Sequence, residues 1–239
     1  MDSSQLDILF EDNHLIAINK PAGMLVQIDN TGDKALEDIV KEYIRVKYDK
    51  PGDVFLGVTH RIDRPVSGIV LFAKTTKALT RINEMFKINK IKKTYWAIVK
   101  NRPAEPKATL EHYIFRDTKR NVSRASEKEI PNSKKAILSY SLVSSSENYH
   151  LLEIDLKTGR HHQIRCQLAK IGCPIKGDLK YGFARSNPDA GISLHSRQMV
   201  FEHPVKKEII TIIAPTPKDV LWDSFVKPYM PTPKPSTEI

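Results

Sequence analysis

Cysteine is nearly absent: the 239 residues contain two, Cys166 and Cys173. That is too few for a disulfide framework in a chain this long, so a reducing cytoplasm is the expected compartment. Long apolar runs are missing too. The longest, Ile69–Ala73 and Ile209–Ala214 (interrupted by Thr211), fall far short of the ~20 residues a membrane-spanning helix needs. The start, Met-Asp-Ser-Ser-Gln-Leu-Asp, has neither the basic nor the apolar segment of a secretory signal. The Asn121-Val-Ser123 sequon therefore carries no meaning.

Several chemical signatures are missing as well. No Gly-x-Gly-x-x-Gly follows a strand, which removes support for a dinucleotide fold, and no Gly-x-Ser-x-Gly elbow is present. Gly172-Cys-Pro-Ile-Lys-Gly177 has the glycine spacing of a phosphate loop. However, Asp178 stands where that loop needs lysine, and Pro174 removes an amide donor. His161, His162, Cys166 and Cys173 do not make a metal site: adjacent helical histidines point about 100° apart, and the cysteine spacing is not a zinc knuckle's. A glycosidase would need two carboxyl groups in matched settings. Asp63 has no such companion. Asp178, in a Gly-Asp-Leu-Lys-Tyr-Gly turn, is the nearest candidate and reads as structural.

What the chain does have is positive charge. Lysine and arginine number 38 against 28 acidic residues, a formal charge of +10. Such an excess attracts polyanions, and nucleic acid is the commonest inside cells. With 40% hydrophobic residues, the chain can bury one sizeable core or two small lobes sharing one.

Residues 6–20 read as a hairpin turning at Glu11–His14. Residues 34–47 carry the stripe of an amphipathic helix, with Asp33 or Thr31 as cap. Thr75–Lys90 reads as a second helix capped by Thr75 or Thr76, and 93–100 as a strand. The second half is β-rich, with strands at 110–115 and 136–143 around a polar, mobile connection at 116–135. Strands at 149–156, 194–201 and 208–213 follow, with a helix over His161–Ile171 that Gly172 ends. Thr216 and Pro217 open a short last helix. Residues 228–239, with four prolines, read as a disordered tail. The order of elements predicts a mixed α/β architecture, with residues 1–227 as a single domain.

Two charged knots stand out. The first, His60-Arg61-Ile-Asp63-Arg64, precedes Gly68 and the apolar run Ile69–Ala73. This is the pattern of a polar loop delivered by a buried strand. The second is Gly159-Arg160-His161-His162-Gln163-Ile164-Arg165, in which Arg165 falls four residues after His161 on one helix face. An arginine within about 4–6 Å of a carboxylate favours its charged form. An ionised aspartate can act as nucleophile or base.

These residues carry a resemblance. His60-Arg-Ile-Asp63-Arg-Pro-Val-Ser-Gly68 is similar to the His-Arg-Leu-Asp-x-x-x-Ser-Gly motif of the RluA family of pseudouridine synthases. Asn19-Lys-Pro-Ala-Gly23 and Lys93-Thr-Tyr95-Trp-Ala97-Ile-Val99 resemble two further family motifs. So do Thr158-Gly-Arg160-His-His-Gln-Ile-Arg165, continuing through Pro174 to Gly182, and Leu194-His195 through Pro204. The resemblance spans about residues 6–215, in the family's order, and implies an α+β fold with a largely antiparallel mixed sheet in two lobes around a central RNA-binding cleft.

The resemblance implies an isomerase that converts uridines in structured ribosomal or transfer RNA to pseudouridine with one catalytic aspartate, Asp63, and no cofactor or metal. Tyr95 would lie against the uracil face and serve in C5 deprotonation, and Arg165 would pair with Asp63. Ile164 would pack beneath the base, and Arg61 would help displace the uridine from its stack. His60, Arg64 and Arg160 are expected to face RNA. The partner is RNA rather than DNA or membrane, the protein is expected to be monomeric, and no separate N-terminal S4-type domain is expected. Gln167 and Gln27 depart from the family pattern beside its motifs. The alternatives are a catalytically silent RNA-binding protein on the same fold and a metal-dependent hydrolase; the latter lacks its ligand cluster.

Overall fold

A computed structural model describes residues 3–29 and 32–229 of the chain. The expected hairpin forms from β1 (Ile8–Glu11) and β2 (Leu15–Lys20). Asp12 fixes its turn by accepting the amides of His14 and Leu15. The strands that follow are β3 (Gly57–Val58), β4 (Ser67–Ala73), β5 (Lys92–Val99), β6 (Lys107–Asp117), β7 (Val122–Ser126), β8 (Lys134–Ser145), β9 (His150–Leu156), β10 (Leu194–Glu202) and β11 (Ile209–Ile213). Four α-helices occur among the described residues: α1 (Leu36–Lys47), α2 (Thr76–Lys87), α3 (Gln163–Lys170) and α4 (Val220–Tyr229). None is long and apolar enough to cross a membrane.

One sheet runs through the molecule in the order β1-β2-β4-β10-β5-β9-β8-β6-β7, with β3 on β4 and β11 on β10. Its pairs are antiparallel except β4 with β10. Side chains alternate across a strand, and the two faces of the first half are buried under different helices. Ile16, Ile18, Val70 and Phe72 meet Leu36, Val40 and Ile44 of α1. Leu15, Ala17, Ile69 and Leu71 meet Ala78 and Ile82 of α2. Covered on both faces, β4 is buried at every position. This is why its sequence is a continuous apolar run rather than an alternating one.

Among the described residues, the two halves of the sheet join at β10. Near its start, β10 pairs with β4 at His195 and Ser196, and further along with β11. Its other edge pairs with β5, which places Tyr95, Ser196 and Gly68 side by side across three strands. Gly68 has φ +106°, and a Cβ there would lie 2.3 Å from the Ser196 carbonyl oxygen. Gly68→Ala is therefore expected to cost about 3 kcal/mol or more, since backbone at that seam cannot give way cheaply. Urea unfolding reads this as a lowered midpoint, and an unchanged midpoint would contradict so close a junction.

Several boundaries differ from the sequence expectation. The connection 116–135 contains β7, paired with β6. The buried residue of β7 is Ser123, and Ala125 packs beside Cys166, so the strand carries no apolar signature. The cap of α1 is Ala35 rather than Asp33, because Asp33 pairs with Arg64 instead; Thr31 lies outside the described residues. Thr75 caps α2 as expected, accepting the Ala78 amide. α3 starts at Gln163, two residues later than the charge pattern suggests. Asp219, not Thr216, caps α4 by accepting the amides of Leu221 and Trp222. α4 continues to Tyr229, two residues into the segment expected as tail; the rest of that segment lies outside the described residues.

Candidate active site

The loop between β3 and β4 is tied down from several directions. Asp63 opens a turn in which its carbonyl accepts the Val66 amide. The next residue, Arg64, exchanges backbone and side-chain bonds with Gly23: its carbonyl accepts the Gly23 amide and its Nε donates to the Gly23 carbonyl. Beneath them lies Lys20, fully buried at the end of β2. Its ammonium donates to the carbonyls of Pro21, Met24 and Arg64 at 2.9, 2.8 and 3.1 Å. Burial pulls that ammonium down to about 7, against the opposing pull of the Asp63 charge. Gly68 then lets β4 close against β10. The carboxylate is thus delivered by rigid backbone, and its side chain stays 28% exposed.

The second knot reaches Asp63 from the other half of the sheet. The Gln163 side chain accepts from the Thr158 hydroxyl and the Arg160 amide and donates to the Ile137 carbonyl, pinning the 158–160 loop to β8. His162 takes left-handed backbone (φ 51°) immediately before α3. His161 therefore precedes the helix and stacks on His162 at 3.7 Å between ring centroids. One turn into α3, Arg165 divides its guanidinium between two carboxylates. Nε and Nη2 bind Asp178 at 2.7 and 2.8 Å, and Nη1 binds Asp63 Oδ2 at 3.0 Å. Burial disfavours the charged guanidinium, but Asp178 and then Asp63 outweigh it and hold its pKa above the usual arginine value. Asp178 is itself buried, 1% exposed. The bidentate fork leaves Arg165 one orientation, and the free corner of that fork meets Asp63.

His162 stands beside this pair. The Tyr181 phenol oxygen accepts the Ser123 amide at 2.8 Å and lies 2.8 Å from His162 Nδ1. The phenol proton is then free to go to Nδ1, which puts the imidazole hydrogen on Nε2, 3.6 Å from Asp63 Oδ2. Burial, reinforced by Arg165, brings His162 down to about 2. The imidazole is neutral near pH 7, so its approach to Asp63 is dipolar rather than an ion pair.

Tyr95 lines the same cleft, a cavity of about 720 Å³ whose walls include Arg61, Asp63, Phe86, Lys93, Arg116, Arg160, Ile164 and Arg165. Burial pushes the Tyr95 phenol up to about 12; Ser196 acts against the shift and Asp63 with it. Tyr95 accordingly presents an uncharged ring and a protonated hydroxyl.

Of the residues singled out in the sequence, Asp63, Tyr95, Arg165, Arg61, Ile164 and Arg160 come together here. The other two are engaged in the scaffold. His60 also borders the cleft, but its Nε2 accepts the Leu71 amide at 3.0 Å, and burial holds it down to about 3. Arg64 turns away to Gly23 and Asp33. Gln167, a departure from the family pattern, is fully buried and donates to the Leu110 carbonyl and His112 Nδ1. Gln27 is exposed in a neighbouring depression beside Arg61. In the sequence Asp178 reads as a structural turn residue; its hold on Arg165 emerges from the fold. Only its place after Gly177 in a glycine-bounded turn hinted at it.

Burial keeps three imidazoles neutral: His162 near 2, His60 near 3 and His195 near 4. The ordinary value is 6.5, so between these limits the unfolded chain binds more protons than the folded one. Stability is complete above about pH 6.5 and falls as pH drops. Each histidine contributes a slope approaching about 1.4 kcal/mol per pH unit. Together they are expected to remove about 3 kcal/mol between pH 6 and pH 5. Urea unfolding at the two pH values measures this, and a flat profile would contradict the neutral assignments.

A family model described as RNA pseudouridylate synthase matches residues 14–170. The uncharacterized RNA pseudouridine synthase YhcT of Bacillus subtilis is 34% identical over 225 residues, covering 90% of this chain and 70% of that one. The tRNA pseudouridine synthase C of Haemophilus ducreyi is 34% identical over 225 residues (88% and 90%). The ribosomal large subunit pseudouridine synthase D of Zymomonas mobilis is 30% identical over 228 residues (90% and 70%). Among solved structures, human RNA pseudouridylate synthase domain containing 4 shares the fold, with TM-score 0.74, 23% identity and 90% of each chain covered.

Proposed function

The chain belongs to the RluA family of RNA pseudouridine synthases, and on that premise we propose that Asp63 is its catalytic carboxylate, Tyr95 its uracil platform and Arg165 the group that positions Asp63. The enzyme is an isomerase acting on RNA. Its reaction breaks the N1–C1′ bond of uridine, turns the uracil and joins C5 to C1′. N1 gains a proton and C5 loses one, with no net oxidation or hydrolysis.

The observation that carries the assignment is the carboxylate of Asp63, held by Arg165 Nη1 at 3.0 Å and open to a cleft that Tyr95 lines. Asp63 acts at the ribose, at C1′ or C2′, the positions a carboxylate beside the sugar can attack or deprotonate. Arg165 costs little reorganisation, because Asp178 fixes it before substrate arrives. Ile164, 5% exposed, supplies an apolar floor. Tyr95 offers its ring to the uracil as a neutral group. The phenol is not a ready base in the free enzyme, so any C5 deprotonation by Tyr95 depends on what the bound uracil does to its environment. Arg61, exposed at the mouth, meets the RNA around the displaced nucleotide. Unstacking that nucleotide costs a few kcal/mol, which the basic rim offsets.

The substrate is a uridine in ribosomal or transfer RNA. Relatives are named for both, and the cleft favours neither. We also take the protein to act in the cytoplasm as a monomer. Unmodified transcripts of both RNA classes carrying 5-tritiated uridine should release tritium when incubated with the purified protein without added metal ion. A protein that bound these RNAs and released none would instead be the silent binder. Comparing pseudouridines in total RNA from cells with and without the gene identifies the site.

A further inference from the structure

We propose that Phe86, with Lys93 and Lys87, forms a binding site for a nucleotide flanking the target uridine: Phe86 stacks on its base and the two lysines meet its phosphate. The inference rests on the reading of Asp63 and Tyr95 as the uridine site and adds a second position beside it. Phe86 lies in the last turn of α2, half-buried, and Lys87, Asn89 and Lys93 line the cleft with it. Part of the Phe86 ring packs with Ala78 and Ile82 under α2, but neither that packing nor the isomerisation chemistry accounts for the ring's opening onto the cleft beside these cations.

The spacing comes from β5. Lys93 and Tyr95 are two residues apart on one strand, so their side chains share a face and are separated by about 7 Å along it. That is room for one further nucleotide beside a uracil seated at Tyr95. Lys93 is half-buried, and burial lowers its pKa. No salt bridge joins its ammonium to a carboxylate among the described residues; Nζ lies over the Phe86 ring, 5.7 Å from its centroid. The charge of Asp155 acts on it without a salt bridge, and that carboxylate is already paired with Lys157. A cation kept partly out of water with no carboxylate in contact is costly unless something else supplies the anion. A phosphate entering the cleft would do so. Lys93 would then leave the ring, and a base could take its place on the Phe86 face, exchanging a cation–π contact for stacking. The His60 ring, 5.1 Å from Phe86 and fixed by its bond to Leu71, holds the platform in place. Lys87 is exposed and only loosely paired with Glu84 at 3.6 Å, so it remains available to the same phosphate.

Base and phosphate contributions separate with two fluorescein-labelled probes read by anisotropy: a dodecamer of oligouridylate and an abasic ribose-phosphate dodecamer. Phe86→Leu keeps the apolar packing and removes the ring. It is expected to weaken oligouridylate binding by at least about 5-fold, the low end of a base–aromatic stack, and to change abasic binding less than about 2-fold. Phe86→Trp should restore oligouridylate affinity. Lys93→Gln should weaken both probes alike and reduce the slope of log K against log salt by about 0.7, one phosphate contact on a single strand. Equal loss on both probes in Phe86→Leu, or no loss on either, would overturn the stacking site. An unchanged salt slope in Lys93→Gln would overturn the phosphate contact. Both effects should persist in Asp63→Asn. Failure of this site is therefore distinguishable from failure of the catalytic reading, which tritium release tests separately.

Discussion

Asp63→Asn is expected to lower tritium release from 5-tritiated uridine RNA by at least about 10³-fold while RNA affinity stays within about threefold. The amide keeps the size and shape of the side chain and can still accept from Arg165 Nη1, so the loop should hold. What it loses is the charge and the lone-pair basicity needed at the ribose, and removing a group of that kind typically costs several orders of magnitude in rate. Affinity should survive because the basic rim, with Arg61, Lys93, Arg116 and Arg160 lining the cleft, supplies the phosphate contacts that dominate nucleic-acid binding. Asp63→Glu is expected to fail almost as badly. One extra methylene moves the carboxylate off the 3.0 Å contact with Arg165, and errors near 1 Å cost about 10²-fold. Single-turnover release and anisotropy binding, measured on the same RNA, test both halves. Asp63→Asn turnover within tenfold of the wild type would remove Asp63 from the chemistry.

Asp178→Asn should damage the enzyme in a different way, losing both activity and stability. Asp178 is buried, and it holds Arg165 through two bonds of 2.7 and 2.8 Å. Removing the charge from one side of a buried pair leaves the other under-compensated, typically about 3 kcal/mol or more. Arg165 would then have a single carboxylate, Asp63, and would draw it inward from the cleft. The expected result is a fall in kcat of about 10²-fold with little change in RNA affinity, the signature of lost positioning rather than lost binding. The stability effects of Asp63→Asn and Asp178→Asn should be non-additive because Arg165 couples them. A double-mutant cycle by urea unfolding measures that coupling. Additive losses, or an Asp178→Asn enzyme with wild-type kcat, would show that the fork does not hold Arg165 for catalysis.

The parts legible in the sequence were those with local causes. The β1–β2 hairpin announces itself by two β-prone runs around Asp12, and α2 by its Thr75 cap and the spacing of Leu79, Ile82 and Phe86. β4 was readable as a buried strand because both of its faces are covered. Asp63 and Arg165 stood out as knots of charge, although only the fold could place them 3.0 Å apart, 102 residues apart in sequence. The misses have distant causes. β7 is a polar strand held by Tyr181 and Cys166, so nothing in its own residues marks it. The delayed start of α3 follows from the left-handed backbone at His162, whose ring is bound by Tyr181 nineteen residues later. Asp178 looked like a turn residue because its partner lies thirteen positions away on another element. Phe86 read as part of an apolar helix stripe. Its place in the cleft depends on how α2 meets the first residues of β5, which periodicity cannot reveal.

The most direct measurement is of the product itself. Unmodified ribosomal and transfer RNA transcripts, incubated with the wild-type enzyme and digested to nucleosides, should yield pseudouridine in amounts equal to the tritium released from a parallel labelled sample. The same transcripts incubated with Asp63→Asn should yield none above background. Tritium release without pseudouridine, or equal pseudouridine from both proteins, would contradict isomerisation by Asp63 in this cleft.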